Sequence, residues 1–186
     1  MRKKIVIISG GPGFGKTSII RELGKLGYPV GDEFARDLIR QQILSDGDVL
    51  PWKNRTQFQQ EVMDYRIRFY LSTIGEEFAF SDRGLPDQIA FARFRGFPPS
   101  LALRECVRKY RYHPVVFFAS PWKEIYTSDE IRDESFAEAC RLHQSIYETY
   151  RESGYLPVEI PKVEANKRAL FILDYLAKNS AADAPS

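Results

Sequence analysis

The residue types with the most specific chemistry stand together at positions 10–18, in the segment GGPGFGKTS. This segment fits the phosphate-binding pattern G-x-x-x-x-G-K-[ST], with Gly10 and Gly15 at the two glycine positions, followed by Lys16 and Thr17. Glycine admits backbone angles closed to other residues, which lets several N–H groups converge on phosphate oxygens. Lys16 would contact the β- and γ-phosphates, and the Thr17 hydroxyl would bind Mg²⁺. The sequence therefore predicts a nucleotide-binding loop formed by Gly10, Gly11, Pro12, Gly13, Phe14, Gly15, Lys16, Thr17 and Ser18.

A second segment with site chemistry, FAFSDRG at 78–84, ends an apolar run with Asp82. A strand that ends in an acid is typical of the element that holds Mg²⁺ opposite a phosphate-binding loop, so Asp82 is predicted to bind the metal together with Thr17. Arg83 follows at the sheet edge where α/β proteins bind ligands, and its guanidinium suits a bidentate contact with an acceptor phosphate or the transferring phosphoryl group. Alternatively, Asp82 caps the helix that starts near Pro86, and Arg83 lies on the surface.

Two further acids, Asp32 and Glu33, come just after the strand-like segment 28–30. One of them could accept the proton from an acceptor hydroxyl, which a kinase requires. Alternatively, both are first-turn acids that the dipole of a helix at 33–44 favours.

The polar segment 120–134 follows the fourth strand-like run and lacks an apolar period. Such a loop could close over the nucleotide as a lid, with Lys123 and Arg132 as its cations. Arg132 would then stabilise the charge of the transition state. The alternative is a solvated loop, which is favoured by four surrounding acids: Asp129, Glu130, Asp133 and Glu134.

Positive charge is concentrated in residues 93–111, where six basic residues accompany a single acid. Arg104, Arg108 and Arg111 are spaced to share one face of a helix. Such a face is either simply solvated, or it attracts an anionic acceptor, a lipid headgroup or a nucleic acid.

These residues must be positioned by alternating strands and helices. The apolar runs that indicate strands lie at 4–9, 28–30, 78–82, 115–119 and 156–160. Helical patterns fill the gaps, so we predict an α/β fold with a mostly parallel sheet. His143 and Cys140 belong to an apolar stripe on one of these helices and are predicted to be core residues. We expect one domain at 1–178 and a disordered tail at 179–186.

The overall composition limits the class of protein. The chain has 186 residues, 44% of them hydrophobic, and a formal net charge of +2, as in an ordinary globular protein without a specific nucleic-acid partner. The two cysteines form no C-x-x-C pair, so neither a disulfide framework nor a zinc site is expected. No signal peptide or membrane span is evident, which predicts a cytoplasmic protein.

Several segments together carry a family resemblance. They are GGPGFGKT at 10–17, DEFARDLI at 32–39, SDRGLPDQIAF at 81–91, SDEIRDES at 128–135 and GYLPVEIPK at 154–162. With them the chain resembles the P-loop nucleoside and nucleotide kinases. More closely, it resembles the small AAA-type ATPases found beside the nicotinamide riboside kinase domain of NadR.

The resemblance implies a three-layer P-loop fold, with a five-stranded parallel sheet in the order 2-3-1-4-5 flanked by helices. It also implies acceptor binding by Asp82 and Arg83, a lid near Arg132, and a nucleotide base near Pro161 and Lys162.

The sequence is compatible with two functions. The first is a small-molecule kinase that uses Mg²⁺ and ATP, or GTP, to phosphorylate a nucleoside, a nucleotide or a cofactor precursor. Its acceptor pocket would use the 52–73 stretch, through Trp52, Gln57, Gln60, Tyr65 and Arg66. The second is a regulatory nucleotide-binding ATPase that acts through a protein or membrane partner.

Overall fold

The computed structural model describes residues 5–126 and 134–180 and shows a five-stranded sheet with helices on both faces. All neighbouring strands pair in parallel, in the order β2-β3-β1-β4-β5. The strands are β1 (Ile5–Ser9), β2 (Val30–Gly31), β3 (Ala79–Asp82), β4 (Val115–Ala119) and β5 (Leu156–Ile160). The predicted fold class and strand order are therefore confirmed.

Helices connect the strands, since parallel neighbours cannot be joined by a tight hairpin. They are α1 (Lys16–Lys25), α2 (Phe34–Leu44), α3 (Arg55–Ser72), α4 (Leu85–Phe94), α5 (Leu101–Lys109), α6 (Phe136–Glu152) and α7 (Ala165–Ser180). A short 3₁₀ turn, Lys123–Ile125, follows β4. Arg132 lies outside the described residues, so its predicted role as a lid cation stays a prediction.

The central strands β1 and β4 are almost entirely apolar because both of their faces are covered. In β1, Ile5 and Ile7 pack into one core layer, together with residues of α3, α4, α5 and α6. The alternate residues, Val6 and Ile8, pack into the opposite layer with α1 and α7. The two layers hold the sheet rigidly between helices, which fixes the positions of the strand ends.

The register of the strands brings the chemically active segments to one edge. Ile8 of β1 pairs with Asp82 of β3, and Ser9 pairs with Phe118 of β4. The 10–15 loop leaves β1 between these two neighbours, at the carboxyl edge where open α/β sheets bind ligands.

The predicted basic helix face is shorter in the structure than the sequence spacing indicates. Helix α5 ends at Lys109, so Arg104 and Arg108 lie on it and Arg111 does not. The chain turns away to enter β4, and Arg111 Nη2 donates to the Ser153 carbonyl at 2.9 Å. The prediction that three arginines share the face was therefore wrong for Arg111.

Two of the other basic residues in the 93–111 segment face acids. Arg93 Nη1 lies 2.6 Å from Glu152 Oε2, and Arg95 Nη2 lies 3.5 Å from Glu134 Oε1. Their charge is thus partly compensated, and the excess of positive charge is smaller than the sequence segment indicates.

The last helix extends to Ser180, and residues 181–186 of the predicted tail lie outside the described residues. Within the described part of the chain, no helix combines the length and apolar character that crossing a membrane requires.

Candidate active site

The 10–15 loop follows a backbone path that needs glycine. Gly10 has φ 126° and Gly15 has φ 80°, positive values that are strained for residues with a side chain. A Cβ on Gly10 would stand 2.6 Å from the carbonyl oxygen of Ala119, which is closer than packed atoms approach. Gly15 is the N-cap of α1, so the loop leads directly into the positive end of a helix dipole.

Aromatic packing anchors the loop to the rest of the fold, which the glycine motif alone does not predict. Phe14 is fully buried and contacts the rings of Tyr126, Phe136 and His143. The Gly11 N–H also donates to His143 Nδ1 at 3.3 Å. The core position predicted for His143 is confirmed, but its contact with the loop was not predicted.

His143 accepts this hydrogen bond because it is neutral. Burial lowers the pKa of His143 to about 4, and the Lys16 and Arg83 charges contribute in the same direction. A neutral imidazole carries its proton on the other nitrogen and leaves Nδ1 free to accept. His143 therefore supports the loop without adding a charge to the site.

Lys16 is buried at the mouth of the loop. Its side chain is 4% exposed, and Nζ donates to the Gly11 carbonyl at 2.7 Å. Burial lowers the pKa of Lys16 to about 8, helped by the neighbouring Arg83 guanidinium. The amine therefore lies along the loop, close to the backbone N–H groups that are predicted to bind phosphate.

Thr17 lies between two carboxylates. Its Oγ1 donates to Asp82 Oδ2 at 3.2 Å and lies 3.5 Å from Glu33 Oε2. Burial raises the pKa of Asp82 to about 6, although the Lys16 charge opposes the shift. Asp82 Oδ1 is buried without a hydrogen-bond partner among the described residues.

This oxygen cluster fits the ligands that Mg²⁺ takes in kinase sites, where one or two carboxylates and a hydroxyl complement water and phosphate oxygens. Within the described ranges, no group of three or more His, Cys, Asp or Glu could hold a metal unaided. Thr17 and Asp82 could thus hold Mg²⁺ together with a nucleotide, with Glu33 beside them, and Asp82 Oδ1 has a lone-pair position to offer. Glu33 as a member of this cluster was not predicted, because the sequence left Asp32 and Glu33 equivalent.

The structure distinguishes those two acids. Glu33 is half-buried and approaches Thr17, whereas Asp32 is exposed and contributes its backbone N–H to the Tyr65 hydroxyl at 3.1 Å. Glu33 is therefore the better placed of the two to face an acceptor.

Arg83 stands at the carboxyl end of β3, as predicted, but it points inward. It is 4% exposed, and its Nη1 donates to the Gly10 carbonyl and to Asp87 Oδ1, both at 2.9 Å. Its φ of 70° is unusual for a residue with a side chain. The surface position considered for Arg83 is excluded, and its contact with an acceptor stays a prediction.

Asp87 is the centre of a buried network. Its carboxylate also accepts hydrogen bonds from Ser9 Oγ at 2.6 Å, the Gly84 N–H at 2.8 Å and the Tyr150 hydroxyl at 2.6 Å. Burial alone would raise the pKa of Asp87, but the Arg83 charge and these hydrogen bonds hold it below its ordinary value. Gly84 and Asp87 form the N-terminal cap of α4, so the alternative role of Asp82 as the cap is wrong.

Two buried polar atoms lie where α3 faces α4. Arg66, on α3, is 8% exposed, and its Nη1 has no hydrogen-bond partner in the described part of the chain. Gln88, on α4, donates from Nε2 to the Gln59 carbonyl at 2.9 Å, while its Oε1 is also without a described partner. Gln88 was not predicted, since a buried glutamine carries no motif.

The other residues predicted for the acceptor pocket are less buried. Trp52 is 60% exposed, and Gln57 and Gln60 are also exposed. Tyr65 is half-buried and stacks on Phe34 with a centroid distance of 4.3 Å. Of the predicted set, only Arg66 is enclosed by the fold.

At the other end of the edge, an open cavity of about 530 Å³ lies between the ends of β4 and β5. Pro161 and Lys162 line it together with Ser120 and Glu159, whose Oγ and Oε2 lie 2.8 Å apart. This is the region where the family resemblance implies the nucleotide base.

The model of an AAA domain family matches residues 5–168. The chain belongs to this family. No curated protein matches the sequence.

Solved structures share the fold at low sequence identity. Deoxyadenosine kinase from M. mycoides is 16% identical with a TM-score of 0.63, and the match covers 94% of this chain and 99% of that one. NadR in complex with NR is 17% identical with a TM-score of 0.69, over 95% of this chain but only 50% of that one. Thymidylate kinase from Ehrlichia chaffeensis is 12% identical with a TM-score of 0.62, over 95% and 100% of the two chains. The AAA-family chain therefore has the fold of P-loop kinases that act on nucleosides and nucleotides.

Proposed function

We propose that this protein is a Mg²⁺- and ATP-dependent kinase of a small molecule. The observation that carries the proposal is the Thr17 hydroxyl, held between Asp82 and Glu33 at the mouth of a glycine loop that also contains Lys16. A loop that only binds a phosphate needs no pair of acids there. Two carboxylates beside the phosphate position are the arrangement that phosphoryl transfer uses for a metal and for the acceptor hydroxyl.

The loop and Lys16 would bind the triphosphate. The backbone N–H groups of residues 13–17, at the N-terminus of α1, supply partial positive charge, and Lys16 adds a full charge at the β- and γ-phosphates. Mg²⁺, held by Thr17 and Asp82, would neutralise phosphate charge when bound. Because these groups are fixed before the substrate binds, little reorganisation is needed during transfer.

Glu33 would orient the acceptor hydroxyl and accept its proton. The acceptor oxygen then forms a bond to the γ-phosphorus while the bond to the β–γ bridging oxygen breaks, and ADP leaves. Asp32 is a poorer candidate for this role because its side chain is exposed.

The acceptor is expected between α3 and α4. Arg66 Nη1 and Gln88 Oε1, buried and without a partner among the described residues, offer one donor and one acceptor near the Arg83–Asp87 pair. Buried polar groups without partners are rare and commonly await a ligand or water. The nucleoside and nucleotide substrates of the structural neighbours named above are compatible with such a pair, so we include them in the first acceptor panel.

The experiment is to measure ADP formation from Mg²⁺-ATP alone and with each of a panel of nucleosides, nucleotides and cofactor precursors. A kinase predicts that at least one acceptor increases ADP formation tenfold or more, because the acceptor completes the site. Slow hydrolysis that no acceptor changes would favour a regulatory ATPase instead.

A further inference from the structure

Arg168, in the first turns of α7, lies directly on the phosphate-binding loop. Its Nη1 donates to the Phe14 carbonyl at 3.3 Å, across 154 residues of sequence. A Cβ built on Gly15 would stand 2.9 Å from Nη1 and 3.0 Å from Nη2 of Arg168. The guanidinium therefore occupies the space that the glycine leaves free, in contact with the loop that precedes Lys16.

The guanidinium is enclosed on its other side by an aromatic ring. Its central carbon lies 5.3 Å from the ring centroid of Trp122, in the segment that follows β4. Arg168 is only 6% exposed. Trp122 and Gly15 thus hold the guanidinium between them.

Arg168 has no counter-charge among the described residues. No acidic side chain among the described residues forms an ion pair with it, and its Nε is buried without a hydrogen-bond partner. Burial lowers the pKa of Arg168, and no neighbouring carboxylate offsets this. The guanidinium nevertheless stays protonated, because its pKa is far above physiological pH.

The buried guanidinium of Arg83 shows how the charge of a buried arginine is commonly compensated. Arg83 pairs with Asp87 at 2.9 Å, and the Asp87 carboxylate is fully buried with it. A buried charge without such a partner is costly, and arginine pairs well with both carboxylate and phosphate. A phosphate group bound by the neighbouring loop would supply the negative charge that Arg168 needs.

We propose that Arg168 is a nucleotide-contacting residue that donates to an oxygen of the bound nucleoside triphosphate while bracing the loop through Phe14. The inference rests on the proposed nucleotide binding, but not on the identity of the acceptor. It assigns to α7 a direct part in the site, and it makes Trp122 a neighbour of the ligand.

The test uses the intrinsic fluorescence of Trp122. The chain has two tryptophans, so W52F leaves Trp122 as the only one. In this background, Mg²⁺-ATP is titrated into the otherwise unchanged protein, into R168M and R168K, and into the matched control K167M. Lys167 is the neighbouring residue, but its charge is exposed and faces Glu164 at 3.1 Å.

We expect Mg²⁺-ATP to change the Trp122 emission in a saturable way. R168M should bind it about tenfold or more weakly, as for the loss of a charge-assisted hydrogen bond. R168K should be intermediate because it keeps the charge but loses the planar fork. K167M should remain within about twofold, in keeping with the small effect of exposed charges.

A salt titration separates ligand contact from mere support of the loop. If Arg168 contacts the nucleotide, the Kd of R168M should rise less steeply with KCl than that of the parent, because one cation fewer is screened. A purely structural brace would lower the melting temperature without changing this slope.

The inference is overturned if folded R168M, or folded R168K where R168M does not fold, binds Mg²⁺-ATP within about twofold of the parent, or if the salt slope is unchanged. Failure of the kinase proposal alone leaves Mg²⁺-ATP binding to the parent intact and shows as ADP formation that no acceptor increases. Failure of the proposed nucleotide binding looks different. The parent itself would then bind no Mg²⁺-ATP, whatever stands at position 168.

Discussion

At the scale of single residues, the site contains a cation and an anion, Lys16 and Asp82, and burial disfavours the charged form of both. Burial lowers the pKa of Lys16 to about 8 and raises the pKa of Asp82 to about 6. Each group is therefore less stable in its charged form than it would be in water. A nucleotide and a divalent cation would relieve both penalties, so the charges are better suited to ligand binding than to stabilising the empty protein.

Lys16→Ala tests the cation. We expect Mg²⁺-ATP to bind at least tenfold more weakly, because charge-assisted contacts worth about 1.5–3 kcal/mol each are lost. Calorimetric titration measures the change. The fold should survive, since the substitution removes a buried charge whose hydrogen-bond partner within the described residues is the Gly11 carbonyl. Unchanged affinity in a folded variant would refute the phosphate-binding assignment of the loop.

Residue identities at the site were predictable only where spacing fixes them. Lys16 and Thr17 follow from the motif, and Asp82 follows from its place at the end of an apolar strand. His143 and Arg168 reach the same loop from 132 and 154 residues away, so no local pattern relates them to it. Their contacts depend on how α6 and α7 pack on the sheet.

At the scale of elements, helix α4 is tied to the sheet through one carboxylate. Asp87 joins Ser9 of β1, Arg83 after β3 and Tyr150 of α6 in a single buried network. The network holds Arg83 in its left-handed conformation next to the Gly10 carbonyl. The position of the loop relative to β3 thus depends on a residue outside both.

Asp87→Ala should therefore destabilise the protein by about 3–5 kcal/mol, because it leaves the Arg83 charge buried and unpaired. Urea unfolding followed by circular dichroism gives the free energy of unfolding. Arg93→Ala is the matched control, since its ion pair with Glu152 is 45% and 60% exposed and is worth about 1 kcal/mol or less. Equal effects of the two substitutions would contradict the role given to Asp87.

The elements themselves were largely predictable, because a buried parallel strand is a short apolar run and its helices carry apolar stripes. The predicted extent of a helix was wrong at one place, where the helix ends without a glycine or proline to mark its end in the sequence. The spacing of Arg104, Arg108 and Arg111 is helical, yet α5 ends at Lys109. Arg111 instead places its guanidinium carbon 4.2 Å from the Tyr155 ring centroid, a contact from across the fold.

At the scale of the whole molecule, the parallel sheet brings the carboxyl ends of β1, β2 and β3 to the same edge. The segments that follow β1 and β2, together with the end of β3, supply Thr17, Glu33 and Asp82, which are separated in sequence and adjacent in space. The cavity between β4 and β5 opens on the same edge. We therefore propose that the nucleotide base binds on the β4–β5 side of the loop and the acceptor on the α3–α4 side.

This assembly of charges predicts how nucleotide binding depends on pH. Because the pKa of Asp82 is raised to about 6, its carboxylate is neutral below that pH and cannot hold Mg²⁺ well. Because the pKa of Lys16 is lowered to about 8, its charge is lost above that pH in the empty site. We expect Mg²⁺-ATP to bind best between about pH 6 and 8, with affinity falling up to about tenfold per unit below this range.

Titrations of Mg²⁺-ATP from about pH 5 to 9 measure this dependence. The terminal phosphate of ATP also titrates near the acid limit, so Asp82→Asn serves as the reference. The variant should bind more weakly at pH 7 and lose part of the acid dependence. An acid dependence identical in the two proteins would show that Asp82 is not the titrating group.

The central claim is that the γ-phosphoryl group passes from ATP to a small molecule. The most direct measurement is to incubate the protein with Mg²⁺, γ-labelled ATP and each acceptor that stimulates ADP formation, with Lys16→Ala as the blank, and to separate the products. We predict that the label appears in the acceptor, in amounts that match the ADP formed. Label found only in inorganic phosphate, with every acceptor, would contradict the kinase assignment.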